Sequence, residues 1–311
     1  ENYDSLVDAP LNVGKFYTEN INVGQRKHQI ILNGKTFDMW DKKNSLDVEK
    51  ICTSVCKLMN TEPPSGNKYQ FIIYFIRGGY GGLEHDNSSV IQYDPYSLLN
   101  DSGYRKFLQL IGHEYLHQWN IRRLRPKEYV KYNYNIPVIC ESLWFAEGVT
   151  SYFDIFLPYL SGITTQTDIY SDISKLITRY LNSPGRFHQS LSDSSKESWI
   201  KLYKSDLSSI DTQISYYNLG SLVSFCLDIL LREKNNSLAC LLRSLWNNKN
   251  VRRNGYTRDD ITEYLDKIDK SLSLKLNQFL DSSGTLDIEY YLAKIGLELR
   301  SEKIENEHGL S

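Results

Sequence analysis

The segment Ile111-Gly112-His113-Glu114-Tyr115-Leu116-His117-Gln118-Trp119-Asn120 constrains this chain more than any other. It places H-E-x-x-H inside an apolar run, and the pattern predicts a helix from about Gly103 to Asn120. Residues four apart on an α-helix stand one turn apart on one face, so His113 and His117 project their imidazoles together. Two neutral imidazoles at that spacing suit one Zn²⁺. Glu114, one step around the helix, can reach a water at the metal and serve as general base in a hydrolysis. The bland alternative is two surface histidines beside an ordinary glutamate. With only six histidines in 311 residues, it is the weaker reading.

A catalytic zinc needs a further protein ligand. Leu143-Trp144-Phe145-Ala146-Glu147-Gly148-Val149-Thr150-Ser151-Tyr152-Phe153 supplies Glu147, a carboxylate in aromatic, apolar surroundings. Such a group is buried only when paired or bound to metal. Glu141, six residues earlier, competes for the role but would face elsewhere on the same helix. Two histidines and one glutamate, with the fourth position open, form a known catalytic zinc set. Asp154 lies seven residues beyond Glu147, on the same helical face. It either accepts a hydrogen bond from a ligand histidine or is a solvated surface carboxylate.

The rest of the composition excludes more than it suggests. The length allows a large core and two lobes. A net charge of −2, with 41% hydrophobic and 24% charged residues, gives no reason to expect a nucleic-acid partner. No apolar run reaches membrane-spanning length free of polar residues, so no membrane segment is expected. The cysteines Cys52, Cys56, Cys140, Cys226 and Cys240 are few and odd in number, against a disulfide framework. Cys52 and Cys56 share a helix face and read as buried thiols in preference to metal ligands. The basic run Arg122-Arg123-Leu124-Arg125-Pro126-Lys127 reads as charge near a helix C-terminus, with carboxylate binding as its alternative. No signal peptide is visible and the chain starts at Glu1, so a piece of a longer protein, in the cytoplasm, is the expectation. The sequons at Asn87, Asn100 and Asn235 matter only in a secreted chain.

Strands are predicted over Lys27–Leu32, Tyr69–Ile76 and Ser89–Tyr93, and an amphipathic helix over Ser45–Met59. From Ser142 onward helices dominate: Thr165–Leu181, Gly220–Glu233, a capping box at Thr257-Arg258-Asp259-Asp260, then Leu272–Leu280 and Ile288–Lys294. The fold class is therefore α+β. A mixed α/β lobe, 1–141, carries the H-E-x-x-H helix. A mainly helical lobe, 142–311, carries Glu147.

Two further clusters bear on chemistry. Arg77-Gly78-Gly79-Tyr80-Gly81-Gly82-Leu83-Glu84-His85 follows a strand. It lacks the Gly-Lys-Ser/Thr of a phosphate loop. A glycine-lined strand edge beside a zinc cleft suits pairing with an extended peptide. Glu84 could then hold a substrate α-amine, which would make the enzyme an exopeptidase. Its bland reading is an exposed glutamate in a hairpin. The other cluster, Ser215-Tyr216-Tyr217-Asn218-Leu219-Gly220, opens an apolar helix. A phenol near zinc can donate to an oxyanion, but in a chain of 23 tyrosines packing is the better reading of these residues alone.

Taken together, His113-Glu114-Tyr115-Leu116-His117-Gln118-Trp119-Asn120, the arginine-rich segment through Pro126, and Leu143-Trp144-Phe145-Ala146-Glu147-Gly148 resemble the glycyl aminopeptidase family of gluzincin metallopeptidases. Leu6-Val7-Asp8-Ala9-Pro10-Leu11 resembles the start of that family's catalytic domain, and the similarity runs over nearly the whole chain. The resemblance implies a thermolysin-like catalytic fold and one zinc per chain, held by His113, His117 and Glu147 with Glu114 as base. It also implies removal of N-terminal glycine or alanine from peptides with a free amine. Gly81-Gly82-Leu83-Glu84-His85 resembles the substrate-amine loop that related aminopeptidases write Gly-x-Met-Glu-Asn, with His85 in place of the Asn. Tyr217-Asn218-Leu219-Gly220 resembles the Tyr-Glu-Lys-Gly segment whose tyrosine stabilises the oxyanion, which favours a catalytic Tyr217. Family members usually carry an N-terminal β-domain and a C-terminal PDZ domain, which would flank this chain. The competing functions are a zinc endopeptidase on the same scaffold, which has no use for Glu84 as an anchor, and a zinc-holding peptide-binding module, which has no use for Glu114.

Overall fold

A computed structural model describes residues 2–34, 39–65, 68–284 and 286–302. Among them, a five-stranded mixed sheet precedes a long run of helices. The strands are β1 (Phe16–Val23), β2 (Arg26–Asn33), β3 (Lys68–Phe75), β4 (Tyr80–Glu84) and β5 (Ser88–Tyr93), in the spatial order β1-β2-β3-β5-β4. β1 and β2 form a hairpin; β2, β3 and β5 run parallel; β4 is antiparallel to β5. Gly78 and Gly79 lie in the connection between β3 and β4. Gly81 and Gly82 belong to the sheet's edge strand, whose outer backbone groups are free to pair.

The helices are α1 (Tyr3–Asp8), α2 (Lys42–Met59), α3 (Asp101–Leu116), α4 (Val149–Leu160), α5 (Gln166–Leu181), α6 (Leu191–Lys196), α7 (Ser209–Thr212) and α8 (Tyr216–Glu233). They are followed by α9 (Leu238–Asn247), α10 (Lys249–Asn254), α11 (Arg258–Asp266), α12 (Lys270–Asp281) and α13 (Ile288–Lys294). α2 is the crossover between parallel strands β2 and β3, as a parallel connection requires. Asp41 and Asn44 close its N-terminus with a capping box, and Thr257 with Asp260 does the same for α11. Ile30, Leu32, Phe71 and Ile73 of the sheet are fully buried, as are Val48, Ile51 and Val55 of α2 and Phe107, Leu108 and Ile111 of α3. These side chains belong to one continuous core, which holds the H-E-x-x-H helix on a rigid base.

Two sequence expectations need correction. The motif helix runs from Asp101 to Leu116, not from Gly103 to Asn120: Asn100 caps its start and His117 is already its C-cap. The backbone then turns, with Trp119 N–H bonding Leu116 O at 3.0 Å and Asn120 N–H bonding Leu116 O at 3.2 Å. Glu147, further, does not open a regular α-helix. It sits in a π-helical turn, Trp144–Gly148, that runs into α4. All five cysteines are free. Among the described residues one helical stretch, Ser209–Glu233, is long and apolar enough to cross a membrane, and 78% of its apolar window is buried inside the protein. Its apolar character is that of a core helix.

Candidate metal and catalytic site

The end of α3, the π-turn and α4 converge on one point. His113 and His117 lie one turn apart with ring centroids 4.6 Å apart and planes at 89°. Glu147 Oε2 lies 3.3 Å from His113 Nε2 and 3.2 Å from His117 Nε2. Ligand atoms of the three residues all fall within 4.8 Å of one another. Their outer nitrogens are engaged. His113 Nδ1–H donates to Asp154 Oδ2 at 3.0 Å, and His117 Nδ1–H donates to the Asn120 carbonyl at 2.6 Å. Both Nε2 atoms are thereby left facing Glu147, donating to its carboxylate when protonated and offering lone pairs to a metal when neutral. Asp154 is thus a hydrogen-bond partner of His113, not a solvated carboxylate. Glu141 lies elsewhere, with Lys196 Nζ at 3.4 Å from its carboxylate.

The electrostatics of the trio point one way. Burial opposes charge on His113, but Asp154 and Glu147 outweigh it and raise its pKa well above the usual value. His117 is likewise raised to about 9 against burial, chiefly by Glu147. Burial pushes the Glu147 carboxyl up, yet His117 and His113 pull it well below its ordinary range. The space between these groups strongly favours positive charge. Together with two converging Nε2 atoms and a carboxylate oxygen, that fits a divalent zinc, whose ligands are of this kind.

Glu114 is buried, and its Oε2 has no hydrogen-bond partner among the described residues. Burial first, with Glu84 and Glu147 adding and His113 and His117 subtracting, raises its carboxyl to about 7. That lies near the ideal for a general base at neutral pH. Gly82 of β4 lies directly on this carboxylate: a Cβ there would overlap it and stand 2.6 Å from Glu114 Cγ. The edge strand passes that close only because it has glycine at this position.

Gly81, Gly82, His113, Glu114, Asp154 and Tyr217 all line one cleft of about 660 Å³. Tyr217 stands in the first turn of α8, which begins at Tyr216, four residues before the expected start. Its ring lies 6.4 Å from that of His113, with the planes inclined at 29°. Burial, Glu147, and the neighbouring Tyr216 and Tyr203 drive its pKa far up, so the hydroxyl stays protonated. Glu84 offers a carboxylate oxygen within 4.8 Å of Glu114 and His117 ligand atoms. This second grouping is not a separate metal site, because the only free nitrogen of His117 already faces Glu147. His85 turns elsewhere: its Nδ1 lies 3.3 Å from Asp8 Oδ1, and neither it nor Glu84 lines the cleft.

Sequence reasoning missed two residues here. Asn120 donates from Nδ2 to the carbonyls of Phe145 at 3.0 Å and Ala146 at 3.1 Å, fastening the end of the motif helix to the turn that carries Glu147. Only its place three residues after the second motif histidine hinted at a role. Tyr203, whose hydroxyl lies 3.2 Å from Tyr216 and 3.5 Å from Tyr217, carried no sequence signal.

The family model for M61 glycyl aminopeptidase matches residues 106–223, which hold His113, Glu114, His117, Glu147 and Tyr217. A search of curated protein sequences gave no match. Among solved structures the chain is similar to the aminopeptidase N family protein from Idiomarina loihiensis, with 30% identity and a TM-score of 0.87 over 94% of this chain and 51% of that one. It shares its fold with the M1 zinc metallopeptidase from Deinococcus radiodurans, at 10% identity and a TM-score of 0.58 over 88% of this chain and 54% of that one. Native yeast LTA4 hydrolase shares the fold too, at 17% identity and a TM-score of 0.57, over 89% of this chain and 41% of that one. The chain therefore spans about half the length of these proteins.

Proposed function

We propose that this chain, which belongs to the M61 glycyl aminopeptidase family, is a zinc aminopeptidase that removes small N-terminal residues, glycine and alanine foremost, from peptides. The observation that carries this reading is the convergence of His113, His117 and Glu147 beside the unpaired, buried carboxylate of Glu114. The three ligands would hold one zinc per chain, which when bound acidifies water and polarises the scissile carbonyl. Glu114 takes a proton from the attacking water and passes it to the leaving amine. The Tyr217 hydroxyl donates to the oxyanion that develops on the substrate carbonyl. Asp154 and Asn120 O fix the tautomer and orientation of the two imidazoles. The substrate lies as an added strand along β4, with Gly81 and Gly82 against its backbone and Glu84 holding its α-ammonium. His85 belongs to the same segment and supports it through Asp8.

In this reading the catalytic unit is thermolysin-like, with lobes at 1–141 and 142–311, and in the whole protein it is flanked by an N-terminal β-domain and a C-terminal PDZ domain. The test is to compare hydrolysis of free and N-acetylated glycyl and alanyl peptides, with metal content measured in the same sample. Cleavage of free-amine peptides only, in proportion to bound zinc, is the expected result. Internal cleavage of acetylated peptides at equal rates would establish the endopeptidase instead. Full zinc with no hydrolysis of either would leave a binding module.

A further inference from the structure

The basic run after the motif helix takes no part in the chemistry above, yet it is built into a concave surface. Arg122, Arg123 and Arg125 line a pocket of about 500 Å³ together with Lys249, Arg252 and Arg253. Val130 and Trp246 complete it. Few of these charges are neutralised. Arg122 pairs with Asp8 at 2.6 Å and Asp86 at 3.0 Å, and Arg125 reaches Asp86 at 3.8 Å. Arg123 donates to the carbonyls of Gln118 at 3.1 Å and Asp86 at 2.8 Å, which position it without cancelling its charge. Arg252 lies 4.8 Å over the Trp246 ring. Among the described residues, six cations set against the two carboxylates that contact them leave a surplus of four.

The two halves of the pocket come from distant parts of the chain and are locked together. Tyr256 N–H bonds Arg125 O at 2.8 Å, and Lys127 N–H bonds Tyr256 O at 2.9 Å. Behind them the Trp119 and Trp246 rings lie 6.4 Å apart. The charges are thus held close by the fold at an electrostatic cost. Burial, with Arg122 and Arg125 beside it, lowers the pKa of Arg123.

We infer that this pocket is a binding site for a small anion bearing several phosphate groups. Five of the six cations are arginines, whose planar forks match phosphate oxygens two at a time. A terminal phosphate carries nearly two charges, so two or three phosphates cancel the surplus within the volume available. A nucleic acid would need a basic track along its backbone, and these six charges form one short, open patch. The shared chemistry is a cluster of phosphates, whether from a nucleotide or from inorganic polyphosphate.

The experiment is calorimetric titration of the 311-residue chain at 0.15 M salt with inorganic tripolyphosphate, magnesium-free ATP, orthophosphate, a tetraglutamate peptide and a short single-stranded RNA. Saturable 1:1 binding of tripolyphosphate is expected, with orthophosphate and tetraglutamate each about tenfold weaker or more. ATP binding as tightly as tripolyphosphate identifies a nucleotide as the natural source; tripolyphosphate alone identifies inorganic polyphosphate. Arg252→Glu/Arg253→Glu should weaken tripolyphosphate about tenfold or more. The control Lys57→Glu/Lys267→Glu, which reverses two exposed lysines outside the pocket, should not. Should the double reversal lower the melting temperature, Arg253→Ala and Lys249→Ala singly give the same reading. No binding of tripolyphosphate, equal binding by the pocket variants, equally tight tetraglutamate, or binding of the RNA alone each overturns the assignment.

Discussion

Gly148 and Gly220 meet backbone to backbone. A Cβ on Gly148 would stand 2.6 Å from Gly220 Cα, and one on Gly220 would stand 3.0 Å from Gly148 Cα. Gly148 follows Glu147, and Gly220 lies three residues after Tyr217 on α8, so this crossing sets how near the third carboxylate stands to the phenol. No flexible side-chain end can yield there. Gly148→Ala is expected to destabilise the protein by about 1–3 kcal/mol, as overpacking of a tight contact does, and to weaken metal retention. Thermal unfolding and zinc content measured together check this; an unchanged melting temperature with full zinc would refute it.

Glu114→Gln isolates the base. The carboxamide keeps the shape of the side chain beside Gly82 but takes up no proton. Zinc content should equal that of the wild type, while kcat falls by about 10²–10⁴-fold, the usual share of a general base. A near-normal kcat at full metal occupancy would remove Glu114 from the mechanism.

Tyr217→Phe tests the phenol. Its hydroxyl is held protonated by burial and by Glu147, so it keeps a proton to donate. Because the oxyanion exists only in the transition state, kcat should fall by about 10²–10³-fold with little change in KM. A raised KM at constant kcat would make Tyr217 a substrate-binding residue.

How much of this was legible in the sequence follows the range of each interaction. His113 and His117 declare themselves because four residues make one helical turn. Glu147 declares itself because a charge in Trp144-Phe145-Ala146 needs a partner. Asn120 stayed silent because its partners, Phe145 O and Ala146 O, are set by tertiary packing. β1 was missed because it is an edge strand, mostly exposed, with Thr18, Glu19, Asn20 and Asn22 interrupting its apolar pattern. The sequence overextends the motif helix because its apolar character persists to Trp119 after the backbone has begun to turn. The π-turn has the same composition as an α-helical turn, so nothing in the sequence separates them.

His28 carries a prediction about pH. It is buried, its Nε2 lies 2.6 Å from the Tyr115 hydroxyl, and burial lowers its pKa to about 4. The unfolded chain would bind a proton near pH 6.5. Between pH 6.5 and about 4 the unfolded state therefore holds more protons than the folded one, and stability falls as pH falls. The full effect is on the order of 3 kcal/mol, at about 1.4 kcal/mol per pH unit. Denaturant midpoints from pH 7 to 4.5 should fall less steeply in His28→Gln than in the wild type. Parallel slopes would show that His28 does not contribute.

The last prediction separates two neighbours that the sequence treats alike. Glu84 is the last residue of β4 and His85 follows it, and the sequence places both at the substrate amine. The carboxylate of Glu84 is grouped with Glu114 and His117, while His85 faces Asp8, which is itself held by Arg122. An α-ammonium leaving water needs a fixed counter-charge, and a buried cation left unpaired is costly. Glu84→Ala should therefore lower kcat/KM on free-amine peptides by about tenfold or more, the worth of a charge-assisted hydrogen bond, with zinc retained. His85→Asn, which keeps a hydrogen-bond donor toward Asp8, should change kcat/KM by less than about threefold. Comparing both variants on the same glycyl peptide decides the matter. A large loss in His85→Asn with none in Glu84→Ala would exchange their roles, and no loss in either would assign the amine to another residue.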